Sequence, residues 1–184
     1  MHWKASQRIL HYVQGTIDYG IHYATGAQLD LRGFIVSNWA GYGNDRKSTL
    51  GFVFMIGYGP ICSSSKKQAS LALSLVEAEY QGAMNATIQV VWLHGILTEF
   101  GIQTSPTVDL YCDNQNTIKI YSDTVQKQRT KHIEVHMHYI QELVHDRTIT
   151  LHYYPTEDQI ADIFTKFFTE KRFVLLRSLL GIKA

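Results

Sequence analysis

The sequence has little cysteine, no long apolar run and no surplus of either charge. Its two cysteines, Cys62 and Cys112, lie far apart without a C-x-x-C pair, which argues against structural disulfides and for a reducing compartment. No apolar signal segment opens the chain, and no stretch approaches the roughly 20 apolar residues that span a bilayer. A soluble intracellular protein, cytoplasmic or nuclear and without a membrane partner, is the resulting expectation. The 17 Lys and Arg against 16 Asp and Glu leave a formal charge of +1. No global positive field therefore advertises a polyanion, and any such contact has to come from a local patch. Internal repeats, low-complexity runs and long charged blocks are also missing. What is there is a chain of 184 residues, long enough to bury a core as one domain, with or without an appended arm.

The apolar periodicity changes along the chain. "MHWKASQRILHYVQG" sets Trp3, Ile9, Leu10 and Val13 among Lys4, Arg8 and polar residues, a short amphipathic helix ended by Gly15. "LDLRGFIVSNWAG" reads as a strand, "GYGNDRKS" as a polar turn, and "TLGFVFMIGYG" and "PICSSSKK" as second and third strands. Their short connections favour antiparallel pairing. "EAEYQGAMNATIQVVWLHGILTEFG", Glu77 to Gly101, is a long helix with two acids in its first turn and scarcely a charge beyond. "TVDLYCDN" is a fourth strand, followed by a short helix from about Asn114 and a longer one in "TKHIEVHMHYIQELVHD". "TITLHYYP" is a fifth strand stopped by Pro155, and "EDQIADIFTKFF" and "EKRFVLLRSLLGI" read as two further helices. Trp39 and Trp92 are expected in the core. Strands joined through helices pair in parallel by right-handed crossovers. The expectation is an α/β fold with a mixed five-stranded sheet: strands one to three antiparallel, four and five parallel to one, helices flanking, and extra helices at both termini.

Three acids then fall at comparable places. Asp113 ends the fourth strand, Glu77 opens the long helix, and Asp162 lies near the start of the helix after the fifth strand. Each alone means little, because Asp and Glu favour helix starts and caps. Together, from three elements of an α/β sheet, they fall where ligands usually bind. That arrangement suits a hard cation such as magnesium, and a pair of such ions can clamp the attacking water and leaving oxygen of a phosphoryl displacement.

Five segments carry a family resemblance: "DRKSTLGFVF", "SSSKKQASLALSLVEAEY", "LYCDNQNTIKI", "RTKHIEVHMHYI" and "YYPTEDQIADIFTK". In collinear order they are similar to successive motifs of the ribonuclease H domain of Ty1/copia-type retrotransposon polyproteins. The first helix resembles the tail of the preceding reverse transcriptase. The resemblance implies a reverse-transcriptase-tail-like helical arm at residues 1–25, an RNase H-like domain at 26–168 and a C-terminal helix at 169–184. It implies an RNase H-like fold and a nuclease that uses Mg2+ or Mn2+ to cut the RNA strand of RNA/DNA hybrids. Glu77, Asp113 and Asp162 match the family's catalytic, metal-holding acids. Glu79 lies roughly 200° around the helix from Glu77 and is a solvated or helix-start charge.

The first strand departs from the family. Where the pattern has Gly-Tyr-x-Asp-x-Asp-Trp, this chain has "GFIVSNW", with Val36 at the first acid and Asn38 at the second. Strand side chains alternate, so both changes strike one face. The family's first acid resembles a ligand shared by both metals, and Val offers no lone pair. Asn38 keeps a carbonyl oxygen as a metal ligand, but one or two negative charges are lost. Asp30, at the opposite end of the strand, and Asp45, in the turn, are poorly placed substitutes. Hybrid cleavage is therefore expected to be weak or absent.

Lys66, Lys67, Lys127, Arg129 and Lys131 are the expected phosphate contacts, since backbone charges position a duplex without reading its sequence. The expected partner is an RNA/DNA hybrid or duplex, weakly held, with a protein partner or self-association through the terminal helices as a further expectation. His132, His136 and His138 lack an H-E-x-x-H pattern and read as a helix face. The alternatives are a non-catalytic nucleic-acid-binding or protein-interaction module of a domesticated retroelement gene, and a nuclease with a different ligand set.

Overall fold

The computed structural model describes residues 2–23, 26, 28–38, 48–68, 75–122 and 131–184, with the backbone only for 37, 38, 75–81, 116, 117, 120, 122 and 131–136. Along the chain, α1 (His2–Gly15) and the two-residue β1 (Gly20–Ile21) precede β2 (Leu31–Asn38), β3 (Thr49–Ile56) and β4 (Gly59–Lys67). There follow α2 (Leu75–Glu99), β5 (Val108–Cys112), α3 (Gln115–Ser122), α4 (Lys131–His145) and β6 (Ile149–Tyr153). A 3-10 turn at Ile160–Phe164, α5 (Glu170–Leu179) and β7 (Ile182–Lys183) complete the chain.

β4-β3-β2-β5-β6 form one five-stranded sheet, and β1 pairs with β7 in a separate ribbon. β2, β3 and β4 are antiparallel neighbours, whereas β5 and β6 run parallel to β2. This is the expected mixed sheet. Its two faces follow from the two-residue alternation of strand side chains. Leu31, Ile35, Leu50, Phe52, Phe54, Val108, Leu110 and Ile149 pack against Ala83, Ala86, Val90 and Leu97 of α2, Tyr121 of α3 and Ile140 of α4. The alanines let α2 lie close on the sheet. The reverse face carries Phe34, Val36, Val53 and Met55 against Ile160 and Ala161 of the turn and Leu176 of α5.

The "EDQIADIFTKFF" segment differs from its helical expectation and closes only one 3-10 turn. Thr165 and Lys166 both donate their backbone N–H to the Asp162 carbonyl, at 2.9 and 3.1 Å. The Gln159 side chain caps the start by accepting from Ala161 N. The cause is tertiary: a Cβ at Gly51 of β3 would stand 2.6 Å from Thr165 Cγ2 and 3.1 Å from the Ala161 carbonyl oxygen. Only a glycine lets the turn lie flat on the strand. Trp92 is likewise not a core residue, being 57% exposed on α2; Trp39 lies outside the described residues.

The two ends of the chain meet. Tyr12 of α1 packs edge-on against Phe173 of α5 at 6.3 Å. The Arg177 guanidinium sits 4.0 Å above the Tyr19 ring and donates to its hydroxyl at 3.0 Å. Gly181, at φ 73°, turns the tail into β7, where a side chain would collide with the Tyr58 carbonyl. Among the described residues no helix is long and apolar enough to cross a membrane.

Candidate functional site

The sheet brings the C-terminal ends of β2, β5 and β6, the start of β3 and the end of β4 to one edge. Ile35 pairs with Cys112 and Cys112 with Tyr153, so Asp113 stands level with Val36 and Tyr154. The 3-10 turn brings Asp162 to the same edge. Four contacts hold that turn: Gln159 Nε2 donates to Ile35 O at 3.1 Å, its Oε1 accepts from Ala161 N at 3.2 Å, Ser65 Oγ donates to Phe164 O at 2.6 Å, and Gly51 leaves it room.

Asp162 is 3% exposed. The Lys166 side chain, 31% exposed, brings its ammonium to 2.7 Å from the Asp162 Oδ1. Among the described residues that oxygen has no aligned hydrogen-bond partner, so the approach is an ion pair by proximity. Asp113 is partly buried at the end of β5, the strand whose Tyr111 packs edge-on against Tyr154 with centroids 5.4 Å apart. Burial holds its carboxyl above the usual range, and the negative charge of Asp162 raises it further. Lys166, a backbone N–H and the Thr156 hydroxyl oppose the rise. The last donates to Asp113 Oδ2 at 3.4 Å. Two of the three expected acids therefore interact at one place, with an ammonium beside them.

Val36 is 2% exposed, inside the apolar cluster of Phe34, Val53, Ile160 and Ala161. The central strand thus meets the acids with a hydrocarbon. Asn38 ends β2 opposite Thr49, and Glu77 is in the first turn of α2; both side chains lie outside the described residues. Lys66 and Lys67 are exposed at the end of β4, opposite Leu50 and Thr49, and so share this edge. Lys131 opens α4 with its side chain outside the described residues, as are Lys127 and Arg129 altogether.

Among the described residues no three His, Cys, Asp or Glu side chains cluster as metal ligands. Of the described side chains only Asp113 and Asp162 offer anionic oxygens here, one of them facing an ammonium, and Val36 offers none; these alone are too few for a pair of divalent ions, which need several converging anionic oxygens. Lys166 is a site residue that the sequence pattern alone does not single out, although the i,i+4 spacing from Asp162 is a legible signal. Gln159 and Ser65 have none. Nor has the His152 Nε2 contact with Asp109 Oδ1 at 2.7 Å, beside Tyr111, whose ring stacks on His152 at 5.3 Å.

No protein-family model matches the chain. The retrovirus-related Pol polyprotein from transposon RE2 of Arabidopsis thaliana is 38% identical over 165 residues, covering 90% of this chain and 11% of that protein. The Pol polyprotein from transposon RE1 of the same plant is 34% identical over 181 residues, covering 98% of this chain and 12% of that protein. The chain thus spans only a small part of the curated relatives it matches. Among solved structures, LC11-RNase H1 isolated from compost superposes with a TM-score of 0.55 at 15% identity, covering 75% of this chain and 94% of that one. LC11-RNase H1 in complex with RNA/DNA hybrid superposes with a TM-score of 0.51, also at 15% identity, over 74% and 94%. The chain is a homologue of one segment of Ty1/copia-type retrotransposon Pol polyproteins, and its fold is RNase H-like.

Proposed function

We propose that this chain is a retroelement-derived RNase H-like protein that holds RNA/DNA hybrid or duplex weakly and cuts it feebly or not at all. Its ancestral reaction is hydrolysis of the RNA strand with divalent metal ions. The supporting observation is the burial of Val36 among hydrocarbon groups, level with Asp113 and beside the turn that carries Asp162. Hydrolysis of this kind needs charge that polarises the phosphate and activates water, and a valine supplies none at the point where the family has its shared ligand. Lys66 and Lys67, exposed at the same edge, support phosphate contact.

The test is a labelled RNA/DNA hybrid incubated with protein freed of host nuclease. In magnesium no cleavage is expected; in manganese a trace, through Asn38, Glu77, Asp113 and Asp162. Robust turnover in magnesium that Asp113→Asn abolishes overturns the reading. Binding should fall steeply with salt, since phosphate contacts release counterions, and should weaken further in the triple variant Lys66→Ala, Lys67→Ala, Lys131→Ala. Binding that ignores both moves the nucleic-acid surface elsewhere.

A second reading, a protein-interaction module, draws support from α1. None of its residues is buried, and Trp3, Ile9, Leu10 and Val13 stay exposed on one stripe. Sedimentation of the parent against Leu10→Glu distinguishes the readings: a concentration-dependent oligomer that the variant dissolves favours self-association, and a monomer in both removes it.

A further inference from the structure

We propose that Lys166 is the resident cation of the acidic pocket: its ammonium neutralises Asp162 from within the chain, so the fold closes without a divalent ion, and any such ion has to displace Lys166 to enter. The inference concerns the pocket described above and takes from the functional reading only the choice of a divalent cation as ligand.

Asp162 is deeply buried, at 3% exposure. A carboxylate buried that deeply is expensive unless a positive charge or hydrogen bonds compensate it. Among the described residues its Oδ1 has no aligned hydrogen bond, and the compensating charge is Lys166 Nζ at 2.7 Å. The geometry is local and durable: Lys166 N also donates to Asp162 O at 3.1 Å, so the backbone sets the spacing that lets the side chain fold back. Gln159, Ser65 and Gly51 pin the turn to three strands, and the acid cannot retreat from the pocket without breaking them. The ammonium can leave. With about a third of its side chain exposed, Lys166 can swing outward and be hydrated at small cost, because its flexible stem carries a compact, strongly hydrated charge. The same positive charge acts on Asp113, whose carboxyl it draws toward ionisation. One mobile cation therefore serves both described acids. Val36 adds only hydrocarbon at this edge, so an incoming dication gains no anionic ligand from that position to offset the loss of the ammonium.

The test uses the full chain. Lys166→Met keeps the apolar stem and removes the charge; Lys166→Arg keeps the charge. In chelator, Lys166→Met should melt below the parent, and magnesium should recover more of the loss than it adds to the parent. Calorimetric titration should show magnesium bound about tenfold tighter by Lys166→Met, the equivalent of about 1.4 kcal/mol of removed competition. Lys166→Arg should stay close to the parent in both measurements. A variant that melts as the parent does in chelator overturns the role of resident cation; one that melts lower without gaining magnesium affinity overturns displacement. Should Lys166→Met fail to fold, amine acetylation of the parent read by mass spectrometry decides. Lys166 should label more slowly than exposed Lys4 in chelator and faster when magnesium is added. Equal labelling in chelator, or labelling indifferent to magnesium, overturns the proposal. Hybrid binding, followed in parallel, reports separately on the functional reading, so failure of either is recognisable.

Discussion

Gln159 Nε2 donates to the carbonyl of Ile35 at 3.1 Å, tying the turn that carries Asp162 to the strand that carries Val36, one residue before the valine. The amide is fully buried and uses its oxygen as well, accepting from Ala161 N at 3.2 Å. One side chain thus fixes both the start of the turn and its distance from the central strand. Gln159→Leu keeps the volume and deletes both bonds, leaving Ala161 N without its partner inside the core. An unfolding free energy lower by about 1 to 3 kcal/mol is expected, the usual cost of a stranded buried group. Thr156→Val, which deletes only the long 3.4 Å bond to Asp113, should cost much less. Denaturant titration of the two variants checks the order, and equal costs would mean that Gln159 does not anchor the turn.

The second prediction concerns pH. Burial and Asp162 hold the Asp113 carboxyl above its ordinary range, so the folded protein binds this proton more tightly than the unfolded chain. Stability from this group is fully present below the ordinary Asp value and is lost as pH rises through the raised folded value, because the slope follows the excess of protons bound by the native state. Asp113→Asn cannot ionise and should not show the loss. In chelator, the melting temperature of the variant relative to the parent should climb across that window and level off above it. Parallel curves for the two proteins would place Asp113 in an environment unlike the one described.

The residues differ in how plainly the sequence announces them. The sheet is legible because alternation is a strong local signal: Ile35 faces α2 while Phe34 and Val36 face the other way, and the order of strands and helices then leaves few topologies. Asp113 and Asp162 are legible as a strand-end acid and a helix-start acid. The helix expected around Asp162 does not form, although Ile160, Ile163, Phe164 and Phe167 have helical spacing. Phe167 is 98% exposed, which shows that the apolar stripe is never assembled. What competes is tertiary, since the gap above Gly51 and the hydroxyl of Ser65 capture the Phe164 end of the turn. Long-range pairs such as Arg177 with Tyr19 leave no mark in local periodicity. The i,i+4 spacing permits a pair of Lys166 with Asp162 but does not single it out; the burial of Asp162 gives the pair its weight, and burial emerges only with the fold.

The most informative prediction is repair of the first strand. Val36→Asp with Asn38→Asp restores both acids of the family pattern. The carboxylate introduced in place of Val36 would enter a cluster of Phe34, Val53, Ile160 and Ala161, already within reach of the field of Asp113 and Asp162. Without metal, a further negative charge there raises repulsion and desolvation together. The double variant should lose on the order of 3 kcal/mol in chelator, and at least one acid should titrate higher than before. In magnesium the same charges become ligands, and binding to the folded state alone should return stability in proportion to occupancy. Val36→Asn, similar in size to Asp and uncharged, separates lost packing from added charge: it should melt lower than the parent in chelator and gain nothing from magnesium. Asn38→Asp alone should gain less than the pair, because position 36 is still hydrocarbon. Melting curves with and without magnesium, together with calorimetric titration, check each step. Equal magnesium shifts in the parent and the double variant, with no new binding event, would mean that position 36 does not address the acids. The placement of the first strand against the family pattern would then be wrong.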